Sequence, residues 1–236
     1  MAEEDKYILV LGSKPGSQLP NKDVKKIYTA NGSAERADHF RKKYPNNILT
    51  CITGAREYLR NEHVSRRINE ANPENVIIRS GKIKLPKSLE NKTKLTCLTN
   101  DAQWDFQAKF FKNRKISLFL GELQHQNNFL DKALHIIKSF KNKNIQGIST
   151  GFFCILTALE ENPESKIIIS GIGMKGGKQF YKSERSNFFV YDSRAKVDRY
   201  MMRLILNSYK ERLFTTDLDL FETTGIKMWQ GNLLQL

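Results

Sequence analysis

The sequence predicts an α/β protein: a single Rossmann-like domain with a mainly parallel sheet and helices on both faces. Three observations predict it. Apolar runs of strand length alternate along the chain with segments of helical period. Several of those runs are continuous rather than alternating, as in strands covered on both faces. Strand–helix alternation of this kind is the pattern of parallel sheets. The 236 residues fit one such domain, 1–236, and 39% hydrophobic content supplies a sizeable core.

The first run, KYILVLG (6–12), consists of β-formers and ends in glycine. KKIYTAN (25–31) and NILTCIT (47–53) follow as strands, separated by AERADHFRKKY (34–44), which is helical in composition. ENVIIRS (74–80) and KLTCLT (94–99) are further strands, bracketing a lysine-rich loop with Pro86. DAQWDFQAKFF (101–111) reads as helix and ISLFLG (116–121) as extended chain. A helix over 127–141 places Leu130, Ala133, Leu134 and Ile137 on one face, expected to be buried. STGFFCILTALEEN (149–162) places Phe152, Ile155, Leu156 and Leu159 together and ends at Asn162-Pro163. KIIISGIG (166–173) is a nearly pure β-branched strand. A late helix fits 194–209, with Val197, Met201, Leu204 and Ile205 inward, before a last strand in RLFTTD (212–217).

No apolar stretch approaches the roughly 20 residues that span a bilayer. The start, MAEEDK, lacks a basic leader region, which predicts a cytoplasmic protein. Cys51, Cys97 and Cys154 stand in apolar runs at wide spacing and are expected as buried, reduced thiols. The net charge of +14 favours anionic partners, acidic membrane surfaces included. Its scatter from Lys25 to Arg203 fits a basic solvated surface better than a nucleic-acid stripe.

In parallel sheets ligands sit beyond the carboxyl ends of the strands. The first strand runs into GSKPGSQLP (12–20), where Gly12, Ser13 and Lys14 open a turn whose N–H groups can face a phosphate. It is neither a P-loop nor a GxGxxG fingerprint. The second strand ends in TANGS (29–33); Asn31 can donate and accept in one plane, although an Asn-Gly turn is the commoner role. Ser149, Thr150 and Gly151 open a helix whose free N–H groups suit a phosphate or carboxylate, or simply cap it. SGIGMKGGKQFY (170–181) leaves its strand with glycines, lysines and Tyr181, and 173–187 is expected to close over a ligand as a lid.

In this order the motifs resemble the bacterial CMP-sialic-acid-dependent sialyltransferases of glycosyltransferase family 42 and their relatives. The resemblance covers nearly the whole chain, through short motifs: Gly12 to Ser17, Asn31, Ser149-Thr150-Gly151 and Ser170 to Tyr181. It implies inverting transfer of a sugar from a CMP-sugar donor to an acceptor hydroxyl on a glycan, with neither metal nor cofactor. The turn, Asn31 and the 149–151 helix start would hold the cytidine nucleotide, and Tyr181 would bond the departing phosphate. Two positions depart from the family. Lys175 stands where the family's loop carries its first tyrosine; a lysine neutralises the phosphate instead. The family's catalytic histidine, just before the late helix, has no counterpart in VYDSRAKVDRYMMRLI (190–205). Asp192, six residues ahead of Asp198, or Lys196 fills that space, and Asp192 equally suits an N-cap. A pterin diphosphokinase-like enzyme, needing Mg²⁺ on carboxylates, is the alternative, followed by a non-enzymatic binder of nucleic acid or membrane.

Overall fold

The computed structural model describes residues 6–110, 128–142, 148–174 and 188–234. The run predicted at 116–121, and Lys175 and Tyr181 of the expected lid, lie outside them. The strands are β1 (Tyr7–Leu11), β2 (Lys26–Ala30), β3 (Ile48–Gly54), β4 (Asn75–Arg79), β5 (Lys94–Leu98), β6 (Lys166–Ser170), β7 (Leu213–Thr215) and β8 (Lys227–Met228). They form one sheet in the order β5-β4-β3-β2-β1-β6-β7-β8, and every neighbouring pair is parallel. From β1 the chain moves outward strand by strand to β5, then returns to lay β6 on the other side of β1. The switch point therefore falls between β1 and β6.

The helices are α1 (Ala34–Lys43), α2 (Ala55–Arg60), α3 (Glu62–Glu70), α4 (Lys87–Glu90), α5 (Asn100–Ala108), α6 (Phe129–Asn142), α7 (Thr150–Glu161), α8 (Phe188–Tyr209) and α9 (Leu218–Thr224). Side chains of a strand point alternately to its two faces, so β1 feeds two cores. Ile8 and Val10 pack with α7, α8 and Trp104 of α5, whereas Leu9 and Leu11 pack with Phe40 of α1 and Val64 and Ile68 of α3. All four residues are fully buried, which is why β1 reads as an unbroken apolar run. At about 25 cal/mol per Å², each such side chain contributes roughly 1.5–3 kcal/mol of burial free energy. Helix α7 is buried on every side from Phe152 to Leu159, its polar Thr157 bonding back to the Phe153 carbonyl at 2.9 Å.

Four expectations change. The late helix begins at Phe188 rather than 194, so Asp192 stands inside α8 and is not its N-cap. RLFTTD is not the last strand, because α9 and the two-residue β8 follow β7. Leu130, Leu134 and Ile137 of α6 are exposed, not buried; periodicity marks an apolar face without saying what covers it. Cys97 is also exposed, since β5 is an outer strand of the sheet with one side open.

Cys51 and Cys154 are fully buried, and burial pushes the Cys51 thiol up to about 12 and Cys154 higher still. Only a thiolate attacks a disulfide reagent, and only where the reagent can reach. Of the three cysteines, Cys97 alone is therefore expected to react rapidly with Ellman's reagent in the native protein. Cys97→Ser should abolish that phase, and unfolding should then release two thiols. A fast native phase surviving in Cys97→Ser would contradict the burial of the other two.

Candidate functional site

Because every strand runs the same way, the exits after β1, β2, β3, β4 and β6 line one edge of the sheet. Ser33 joins the first two: its Oγ accepts from the Ala30 N–H at 2.9 Å and donates to the Leu11 carbonyl at 2.8 Å. Asn31 takes a left-handed backbone, φ 53°, which asparagine tolerates better than most residues. Its Oδ1 accepts from the Thr53 hydroxyl at 2.9 Å, so the acceptor half of the amide is already used. The Nδ2 donors remain, paired with no described residue.

At the switch point the first turn presses on the exit of β6. Gly12 donates its N–H to the Ser170 carbonyl at 2.8 Å, and Lys14 donates to the Gly171 carbonyl at 2.9 Å. A Cβ on Gly12 would stand 2.1 Å from that carbonyl oxygen, so glycine is required there. Gly171 has φ +79°, and its N–H donates to Asp217 Oδ2 at 2.6 Å. Arg36, from α1, binds the turn from below. Its guanidinium donates to the Gly12 carbonyl at 3.0 Å, the Ser17 carbonyl at 2.6 Å and Ser170 Oγ at 3.1 Å. Burial holds the Arg36 pKa below its usual range, and buried Asp217 opposes that shift. Ser13 is buried in this turn, and the Lys14 ammonium is paired with Asp219 of α9. Ser17 Oγ is buried and has no hydrogen-bond partner among the described residues.

The start of α7 lies beside this turn. A Cβ on Gly12 would meet Ile172 Cγ1 at 2.7 Å, and one on Gly151 would meet Ile172 Cγ2 at 3.2 Å. Ser149 is the N-cap: its Oγ accepts from the Phe152 N–H at 3.1 Å. Its own N–H donates to Asp198 of α8 at 3.0 Å, so a buried carboxylate already faces the positive end of this helix. The N–H groups of Thr150 and Gly151 have no partner among the described residues, as is usual in a first helical turn.

Arg79, the last residue of β4, fixes the other flank of that helix. It donates to Thr150 Oγ1 at 3.2 Å, to the Ile148 carbonyl at 3.0 Å and, through Nε, to Gln103 of α5 at 3.0 Å. Its guanidinium carbon lies 4.6 Å from the centre of the Phe153 ring, within cation–π range. Sequence reasoning missed Arg79, Arg36 and Asp217. Their position at or just beyond a strand end was the available signal for the first and third.

The structure thus brings Gly12 and Gly151 against Ile172, with Ser13, Lys14, Ser149 and Thr150 adjoining them in the chain, and sets Asn31 at the same sheet edge. It does not bring Asn31 and Thr150 to one face. Thr53, the partner of Asn31, lies by strand alternation on the side of Cys51 and α1–α3, whereas Thr150 lies on the α7 side. A ligand touching both would have to lie across the edge of the sheet. Asp192 is in the second turn of α8. Among the described residues no three His, Cys, Asp or Glu side chains come together as a metal-ligating group. No helix among them is long and apolar enough to cross a membrane.

These features define a parallel α/β protein with a tightly built glycine turn at its switch point. Two solved structures resemble it. The sialyltransferase CstII from Campylobacter jejuni, in complex with the substrate analogue CMP-3FNeuAc, is 13% identical with a TM-score of 0.46; the match covers 98% of this chain and 95% of that one. The sialyltransferase CST-II with a trisaccharide acceptor and CMP is 14% identical with a TM-score of 0.40, over 98% and 95% of the two chains. No protein-family model matches the sequence, and no curated protein does.

Proposed function

We propose that this chain is a sialyltransferase-like glycosyltransferase that moves a sugar from a CMP-sugar donor to an acceptor hydroxyl with inversion. The observation that carries the reading is the joint packing of the first turn and the start of α7 on Ile172, beside the switch point. Motifs 139 residues apart, Gly12 and Gly151, are thereby neighbours at the place where parallel sheets bind nucleotides. Their order along the chain, with Asn31 between them, is the order of the family that the sequence resembles.

In this reading Gly12, Ser13 and Lys14, together with Ser149, Thr150 and Gly151, bind the nucleotide, and Asn31 offers its Nδ2 donors to a base or ribose across the sheet edge. A phosphate drawn to Lys14 competes with Asp219 for the ammonium. The acceptor oxygen attacks the anomeric carbon as the bond to the CMP phosphate oxygen breaks, and that electron pair leaves with CMP. Lys175 and Tyr181 stabilise the departing phosphate, and Asp192 takes the acceptor proton. The scheme uses no metal.

Nucleotide binding tests it. CMP is expected to raise the melting temperature equally with EDTA or Mg²⁺, by an amount that grows with CMP concentration. AMP and GMP should do less. Arg79→Ala frees the start of α7 and should weaken CMP binding by roughly tenfold, the loss expected from one misplaced charge-assisted contact. Stabilisation by ATP that requires Mg²⁺, without any response to CMP, would replace this reading with the diphosphokinase-like one.

A further inference from the structure

Helix α6 carries an apolar face that, among the described residues, neither core covers. Phe129, Leu130, Ala133, Leu134, Ile136 and Ile137 occupy an arc of about 160° on its helical wheel. Ala133 and Ile136, on one half of the arc, are partly covered. Ile137 (57% exposed), Leu130 (72%) and Leu134 (49%) fill the other half and face water, as does Phe129 (83%) at the helix start. Four large apolar side chains within three turns are more than the isolated surface leucines of an ordinary soluble protein.

The charge says what covers them. The helix holds three lysines (Lys132, Lys138 and Lys141) against one aspartate, in a chain of net charge +14. A second copy of the chain would bring +14 against +14, and repulsion opposes that contact. An anionic lipid surface offers the opposite sign to the lysines and hydrocarbon to the leucines. A helix about 21 Å long with an apolar arc and basic residues is suited to lie in the plane of such a surface. We propose that α6 docks the protein on anionic bilayers, with Leu130, Leu134 and Ile137 entering the headgroup boundary and the lysines contacting lipid phosphates. The inference is independent of the sugar-transfer reading, since no residue of α6 belongs to that site.

Co-sedimentation of the full chain with phosphatidylcholine vesicles, with and without phosphatidylglycerol, tests the proposal. Binding is expected only with phosphatidylglycerol, and it should weaken as salt rises. Leu130→Gln with Leu134→Gln keeps the charge and a good helix former, and should lower vesicle affinity by roughly tenfold or more. Both side chains face water, so the thermal unfolding of the double variant should match the wild type; Ile137→Gln is the second variant should it not. Three results would overturn the proposal: no binding of the wild type to anionic vesicles, equal binding by the glutamine variants, or a wild-type dimer that the double variant dissolves.

Discussion

Replacing Gly12 with alanine is expected to destabilise the protein by about 3 kcal/mol or more, a fall in melting temperature of roughly 6–12 °C for a chain of this size. The new methyl would stand 2.1 Å from the Gly171 carbonyl oxygen and 2.5 Å from its carbon, both backbone atoms that no rotamer change can move. Relief requires separating β1 from β6 at their ends. That breaks the bonds from Gly12 to Ser170 and from Lys14 to Gly171. Gly16, in the same turn, is the control. Its φ is +72°, but a Cβ there meets nothing within 4 Å, so Gly16→Ala should cost only the backbone preference, about 1 kcal/mol. Gly171→Ala should resemble Gly12→Ala, because the backbone (φ +79°) and the Arg36 guanidinium at 2.1 Å both oppose a side chain. Urea unfolding of the three variants measures the difference. Equal losses at Gly12 and Gly16 would mean that the switch point is not a tight joint.

The same joint explains what the sequence could reveal. Strands β1, β3 and β6 were legible because both of their faces are buried, which forces continuous apolar runs. Helix α7 was legible for the same reason. The segment containing α2 and α3 carries little signal in sequence, because Val64 and Ile68 are the only fully buried apolar residues in a highly charged α3. Strand β8 is two residues long, too short for any periodicity. The glycines and the cap at Ser149 are legible because they stand at strand and helix ends. The residues that hold them, Arg36 and Arg79, are not legible there, because 39 lysines and arginines look alike in sequence until packing shows which ones bond inward. Cys97 shows the reverse error. Its apolar neighbours imply burial, and only the strand order reveals an open edge.

Asp192→Asn is expected to lower the transfer rate by roughly 10²–10⁴-fold, the usual loss when a general base is removed, while leaving CMP affinity unchanged. In the reading proposed above, Asp192 is the base and Lys196 its neighbour one turn on. In helical register, the buried residues of α8 around Asp198, from Val197 to Leu206, occupy one broad arc. By helical register alone, position 192 falls about 40° beyond that arc and position 196 about 80° beyond it. Because Asp192 lies within α8 and not at its N-cap, exchange for asparagine removes no cap, and their helix propensities are close. Stability should therefore change by less than ~1 kcal/mol, which separates loss of a base from loss of fold. Lys196→Met is the companion variant and should retain turnover. A folded Asp192→Asn protein that transfers sugar at nearly the wild-type rate would remove Asp192 from the reaction, and a Lys196→Met protein that fails to would put the lysine in its place.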